Sequence, residues 1–218
     1  MASNSKSPIL NIILAVAAIG VLAFAFMRSK SKEPFRLLPI YGAKEYNATT
    51  KDTDYHTIMP FKMTDQMGQT LTLDSFKNKV FVANFFFATC PGICKKMNYE
   101  LEEATHEFKG NSKVKFISYT VDPIHDSVPV LLQYAQLHNA VPYQWYFVTG
   151  NKKEIYELAR KSYYAAVDDS ANVNFIHTDN MALVDTHGRI RGVYKGTDSA
   201  EVAKMVVDIK LLLQEESE

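Results

Sequence analysis

Val80-Phe81-Val82-Ala83-Asn84-Phe85-Phe86-Phe87 runs through Ala88 and Thr89 into Cys90-Pro91-Gly92-Ile93-Cys94. The first eight residues are nearly continuous in apolar and aromatic side chains. That is the composition of a strand buried on both faces, as in a parallel sheet. Pro91 can open a helix as its first residue, and the two sulfurs then share one helical face, four residues apart. Cys90 and Cys94 are the only cysteines of the chain. In a first helical turn the dipole and the free N–H groups favour thiolate over thiol. The pair can close into a disulfide or hold one soft metal ion. Two cysteines are too few for a disulfide scaffold, and their spacing points to redox or metal work.

Working outward, Ile58 to Thr64 reads as an edge strand, Met67-Gly68 as a turn, and Thr70 to Leu73 as an alternating second strand. Asp74 can cap a short helical turn. After the cysteines a helix is expected to about Lys109, then a strand over Val114 to Val121, ended by Asp122-Pro123. A helix follows from Ser127 to His138, with Pro129 tolerated in its first turn. Gln144 to Val148 reads as a short strand. Asn151 with Glu154 resembles a capping box, and Ile155, Leu158 and Ala159 share a face of the helix it opens. Asp185-Thr186-His187-Gly188 reads as a hairpin turn between Met181–Val184 and Ile190–Lys195. Asp198 with Glu201 resembles a second N-terminal cap, and the helix it opens carries Val202, Met205, Val206, Ile209 and Leu213 on one stripe. This order predicts an α/β fold, a mixed sheet with helices on both faces. The cysteines fall at the C-terminal end of its central strand, where such sheets place their sites.

The 24 basic residues balance 24 acidic ones, which argues against a nucleic-acid partner. Residues 1–8 read as a short tail. Residues 9–27 are apolar with Asn11 as the one strongly polar member, long enough to cross a bilayer as an N-terminal transmembrane helix. The alternative is a cleaved signal segment, because Ala23-Phe24-Ala25 fits a small-x-small pattern. No cysteine lies there to carry a lipid. Lys6 precedes the run, and Arg28, Lys30 and Lys32 follow it. Taken literally, the positive-inside bias would put the following domain in the cytoplasm. Residues 28–55 read as a tether and 56–218 as the folded domain.

Three groups of residues carry a resemblance. Pro60-Phe61, Thr64-Asp65-Gln66 and Gly68, followed by Lys79 to Phe87 and Cys90, are similar to the thioredoxin superfamily. The Cys-x-x-x-Cys spacing narrows this to the Sco/SenC family of copper-binding cytochrome c oxidase assembly factors. Val121-Asp122-Pro123 with Asp126 resembles that family's Asp-Pro-x-x-Asp segment. His177-Thr178, then a strand and Asp185 to Gly188, resembles its metal-ligand histidine and following hairpin. Gly92 and Ile176 depart from the acidic residues common at those places, and neither departure removes a ligand.

The resemblance implies a thioredoxin-like domain in which Cys90, Cys94 and His177 bind copper. Thiolates suit Cu(I), and an added imidazole suits Cu(II). Oxidation of Cys90 and Cys94 to a disulfide releases the metal, so metal transfer and thiol exchange share one pair. The resemblance further implies a membrane-tethered chaperone that delivers copper to, or matures, the binuclear copper site of cytochrome c oxidase subunit II, with a thiol reductant protein as a further partner. A thiol-disulfide oxidoreductase that reduces the same subunit's cysteines without carrying copper is the competing reading. A peroxidase is disfavoured because Thr89 lies directly beside Cys90 rather than three residues before it. The expected place is a bacterial inner membrane with the domain in the periplasm, since no Arg-rich, acid-poor transit segment precedes the apolar run. The other possibility is the mitochondrial inner membrane, facing the intermembrane space. Met97 is expected in the core, and His125 and His187 in solvent. Asp122 is read either as orienting the cysteine loop or meeting a partner, or as ending a strand before Pro123. His56, His106 and His138 show no partner pattern.

Overall fold

The computed structural model describes residues 37–165 and 178–217, together with Leu14, Ala18 and Gly20, which are helical. The expected membrane span lies otherwise outside the described residues. Among the described residues no helix is long and apolar enough to cross a membrane. Leu38–Glu218 forms one compact unit.

Its centre is β5 (Val80–Phe86), every residue of which is buried. Burial on both faces comes from its neighbours. On one side β6 (Val114–Thr120) pairs with it in parallel along the whole strand, from Val80 opposite Val114 to Phe86 opposite Thr120. On the other side β8 (Asn180–Val184) pairs antiparallel. Because side chains alternate across a strand, Val80, Val82 and Phe86 enter one core and Phe81, Ala83 and Phe85 the other.

The helices follow from the strand order β4 (Thr70–Thr72), β3 (Lys62–Asp65), β7 (Trp145–Thr149), β6, β5, β8, β9 (Ile190–Lys195). From β5 the chain passes through α1 (Ile93–Glu107) to β6, and then through α2 (Val128–Leu137) to β7 (Trp145–Thr149), stepping the same way each time. Right-handed crossovers put both helices on one face. Met97, Leu101, Leu131 and Tyr134 accordingly share one core with Val202, Met205 and Ile209 of α4 (Ser199–Glu215). The third helix, α3 (Lys152–Lys161), packs Ile155, Leu158 and Ala159 against the opposite core. This is the thioredoxin-like mixed sheet with helices on both faces that the sequence predicts.

Local signals hold at several ends. Asn151 caps α3 by accepting from the N–H groups of Lys153 and Glu154, and Asp198 caps α4 through Ala200 N–H. Asp185 turns the β8–β9 hairpin into β9 (Ile190–Lys195), its Oδ1 accepting from His187 and Arg189 N–H.

Other expectations are corrected. The strand expected over Ile58 to Thr64 is β3 (Lys62–Asp65), and it lies one place in from the edge. β4 (Thr70–Thr72) covers its outer side. Its side chains alone do not show which neighbour pairs with it. Leu38 is buried in the core, and β1 (Lys44–Asn47) and β2 (Asp52–Tyr55) form a separate antiparallel pair. The helix after the cysteines begins at Ile93, not Pro91, with Gly92 as its N-cap.

Arg191 fixes the start of this unit to its end. The side chain is 2 % exposed. Nε donates to Pro39 O and Nη2 to Leu38 O, while Nη1 reaches Asp185 and Nη2 reaches Glu215 Oε1 at 2.6 Å. Removing one partner of a buried ion pair typically costs about 3–5 kcal/mol. Arg191→Met is therefore expected to lower the urea-unfolding free energy by that order. A loss below about 1 kcal/mol, the range of an exposed pair, would contradict the clamp.

Candidate metal and thiol site

Where β5 leaves the sheet, its last groups meet the cysteines. Val121 N–H donates to Phe86 O at 2.8 Å and carries the β5–β6 pairing one step further. Cys90 N–H then turns back onto Phe87 O at 3.1 Å. Cys90 thus sits in the turn before α1, and Cys94 alone lies in the first helical turn. This corrects the placement of both thiols inside the helix. The N-cap residue, Gly92, has no side chain to accept the helix's free amides. Cys90 Sγ does so instead, receiving the N–H groups of Gly92 and Cys94.

Both cysteines are free thiols and each is 4 % exposed. Their sulfurs are hydrogen-bonded to one another, and this makes them unequal. Burial pushes Cys90 up, but the bond from Cys94, the two backbone N–H groups and the Lys95 charge outweigh it and leave its pKa below the ordinary thiol value. Burial pushes Cys94 up to about 12, helped by its bond to Cys90 and opposed by Phe87 N–H. The pair therefore consists of a thiolate-prone sulfur held at a helix N-terminus and a proton-retaining neighbour. Two adjacent sulfurs of this kind fit a soft, thiophilic ion such as Cu(I).

A polar network lies behind them in the core. Asn84, on β5, donates to Asn98 Oδ1 at 3.2 Å and accepts from Ser118 Oγ at 2.6 Å. Asn98 donates to Tyr134 Oη, and Trp145 Nε1 donates to Ser118. Tyr134 stacks on Phe86, and burial drives its phenol up against the hydrogen bond from Asn98. Met97 is fully buried, with its sulfur 3.8 Å from Asn84 Nδ2, so it fills the core as expected.

The segment after β6 reaches the cysteine turn through Asp126. Its Oδ2 accepts from Ala88 N–H at 3.1 Å and from the Thr120 hydroxyl, whose oxygen accepts Asp122 N–H. Burial raises the Asp126 pKa against these bonds. Asp122 instead binds His125, Oδ2 to Nδ1 at 2.7 Å, with the imidazole side chain 72 % exposed. The orienting role weighed for Asp122 thus falls on Asp126. The Asp-Pro-x-x-Asp spacing held that signal, because its second carboxylate follows the turn that brings the chain back.

His177 falls outside the described residues. His187 is exposed, as expected. His56 contacts Ser162 O and the Tyr164 ring. His138, which the sequence left without a partner, is buried against Glu102 and Trp145, and burial lowers its pKa. Asp185, His187 and Glu216 bring ligand atoms within 4.8 Å of one another. Asp185 is already committed there to two backbone N–H groups and to Arg189 and Arg191. Two guanidiniums at that carboxylate oppose a cation.

A family model described as SCO1/SenC matches residues 49–214. A SCO1 protein homolog of Bacillus subtilis is 30 % identical over 163 residues, 73 % of this chain and 84 % of that protein. The structure of BsSco, a member of the Sco family of cytochrome c oxidase assembly proteins in which a disulfide switch was identified, is similar at TM-score 0.63. The two are 29 % identical over 72 % of this chain and 93 % of BsSco. Copper-bound ScoI of Bradyrhizobium japonicum shares the fold at TM-score 0.57 and 23 % identity, over 72 % of this chain and 99 % of its own. With the family matched over most of its length, and with the paired thiols at the end of its central strand, this chain belongs to the SCO1/SenC family.

Proposed function

We propose that this protein is a membrane-tethered copper chaperone that carries copper to, or matures, the binuclear copper site of cytochrome c oxidase subunit II. The observation that carries the reading is the hydrogen-bonded, unequal thiol pair at the end of β5. Copper is the cargo. Cys90 and Cys94 hold it through sulfur, and His177 supplies an imidazole that matters most for Cu(II). The residues around the pair have their own tasks. The Gly92 and Cys94 amides stabilise negative charge on Cys90, the Phe87 amide does so for Cys94, and the packed wall of Phe86, Met97 and Tyr134 keeps water from the inner side.

The inequality of the thiols also supports thiol-disulfide exchange. A thiolate-prone Cys90 attacks or is attacked first, and Cys94 resolves. Exchange with a thiol reductant protein returns the pair to its metal-binding form. Reduction of the oxidase subunit's cysteines without copper remains the second reading. Residues 9–27 anchor the protein in a bacterial inner membrane, and the domain faces the periplasm.

Titrating the reduced 218-residue chain with Cu(II) should give sulfur-to-copper charge-transfer absorption that saturates at about one copper per chain. Cys90→Ser and Cys94→Ser should each abolish it, and His177→Ala should weaken Cu(II) far more than Cu(I). Absence of charge transfer in the parent chain would sink the copper reading and leave the dithiol one.

A second test follows from the two thiol shifts. A lowered pKa means more thiolate near neutrality and a raised one less, so iodoacetamide at about pH 8 should modify Cys90 about tenfold faster than Cys94. Cys94→Ala removes the bond that lowers Cys90, so the Cys90 rate profile should move to higher pH. Equal rates, or faster labelling of Cys94, would contradict the assignment.

For the membrane orientation, a reporter fused after Glu218 should be active only in the periplasm. Cytoplasmic activity would reverse it.

A further inference from the structure

Asp126 is 1 % exposed and belongs to the loop between β6 and α2. It makes no bond needed to start α2, whose N-cap is Ser127. Its Oδ2 instead reaches across to the cysteine turn, taking Ala88 N–H at 3.1 Å together with the Thr120 hydroxyl. Its Oδ1 is buried with no hydrogen-bond partner among the described residues. An unpaired buried oxygen is costly, and in native proteins it is commonly tied to strain or to redox or catalytic work.

What Asp126 holds is specific. The Phe87 C=O accepts Cys90 N–H at 3.1 Å and so closes the cysteine turn. Ala88 is the next residue, so the carboxylate fixes the far side of that same turn. Disulfide closure has narrow geometric demands, whereas the turn Asp126 grips is the one found with two free thiols.

We infer that Asp126 is a positioning residue that holds the cysteine turn in its dithiol form and so sets the balance between dithiol and disulfide. This rests on the reading of Cys90 and Cys94 as the redox and metal-binding pair. In the exchange, the two thiols lose two electrons and two protons, the Cys90–Cys94 bond forms, and a disulfide oxidant is reduced to its dithiol. Asp126 takes no part in the bonds. It stabilises the side of the equilibrium in which its grip on Ala88 is intact.

The test equilibrates the 218-residue chain with mixtures of oxidised and reduced dithiothreitol and measures the fraction of Cys90–Cys94 disulfide. Asp126→Ala should shift the equilibrium toward disulfide roughly tenfold, about 30 mV for this two-electron couple. Asp126→Asn, which keeps an acceptor oxygen in the same place, should stay near the parent. A role in stability alone would lower the unfolding midpoint of Asp126→Ala and leave the redox equilibrium where it was, which would overturn the inference. A second measurement needs no variant. By linkage, a bond that favours the dithiol must be stronger in that state, so Ala88 amide exchange should be slower in the reduced than in the oxidised parent chain. Equal protection in the two states would also overturn it. A parent chain that forms no Cys90–Cys94 disulfide at any ratio would instead refute the redox pair on which the inference stands.

Discussion

A strand buried on both faces must hand over its backbone hydrogen bonds when it leaves the sheet, because an unpaired amide in the interior costs nearly as much as a lost bond. At the end of β5 that handover is made to the next turn and to a carboxylate. Ala88 N–H goes to Asp126, and Phe87 C=O takes the amide of Cys90. The helix that follows begins with a glycine N-cap, so its free amides fall to Cys90 sulfur. The reactive pair is thereby part of the backbone's own accounting.

From that arrangement the chemical asymmetry follows. Cys90 faces amide dipoles and a lysine; Cys94 faces the core and gives its proton's hydrogen bond to its neighbour. A pair with one sulfur ready as thiolate and one guarding its proton can bind a soft ion when reduced and close on itself when oxidised.

Much of this was legible in the residues. The apolar run over Val80 to Phe87 marked the central strand because burial on both faces leaves little room for polar side chains, and Asn84 is the exception that the Asn98–Tyr134–Ser118 network explains. Asn151, Asp198 and Asp185 announced their caps and turn because those bonds span two to four residues. What the residues did not reveal depends on distant partners. Arg191 reads as an ordinary strand cation until Leu38, Asp185 and Glu215 converge on it. Asp126 was marked only by the Asp-Pro-x-x-Asp resemblance, and its grip on Ala88 shows only in the fold. Pro91 suggested a helix start that the Cys90–Phe87 turn postpones to Ile93. His177 was singled out only by resemblance, because a lone loop histidine carries no local signature of its own.

The central claim is that Cys90 and Cys94 together bind the metal. X-ray absorption at the copper edge of the Cu(I)-loaded chain tests it most directly. Two sulfur donors in the nearest shell, reduced to one in either single cysteine-to-serine variant, is the predicted result. A shell of nitrogen and oxygen alone, unchanged by those substitutions, would contradict it.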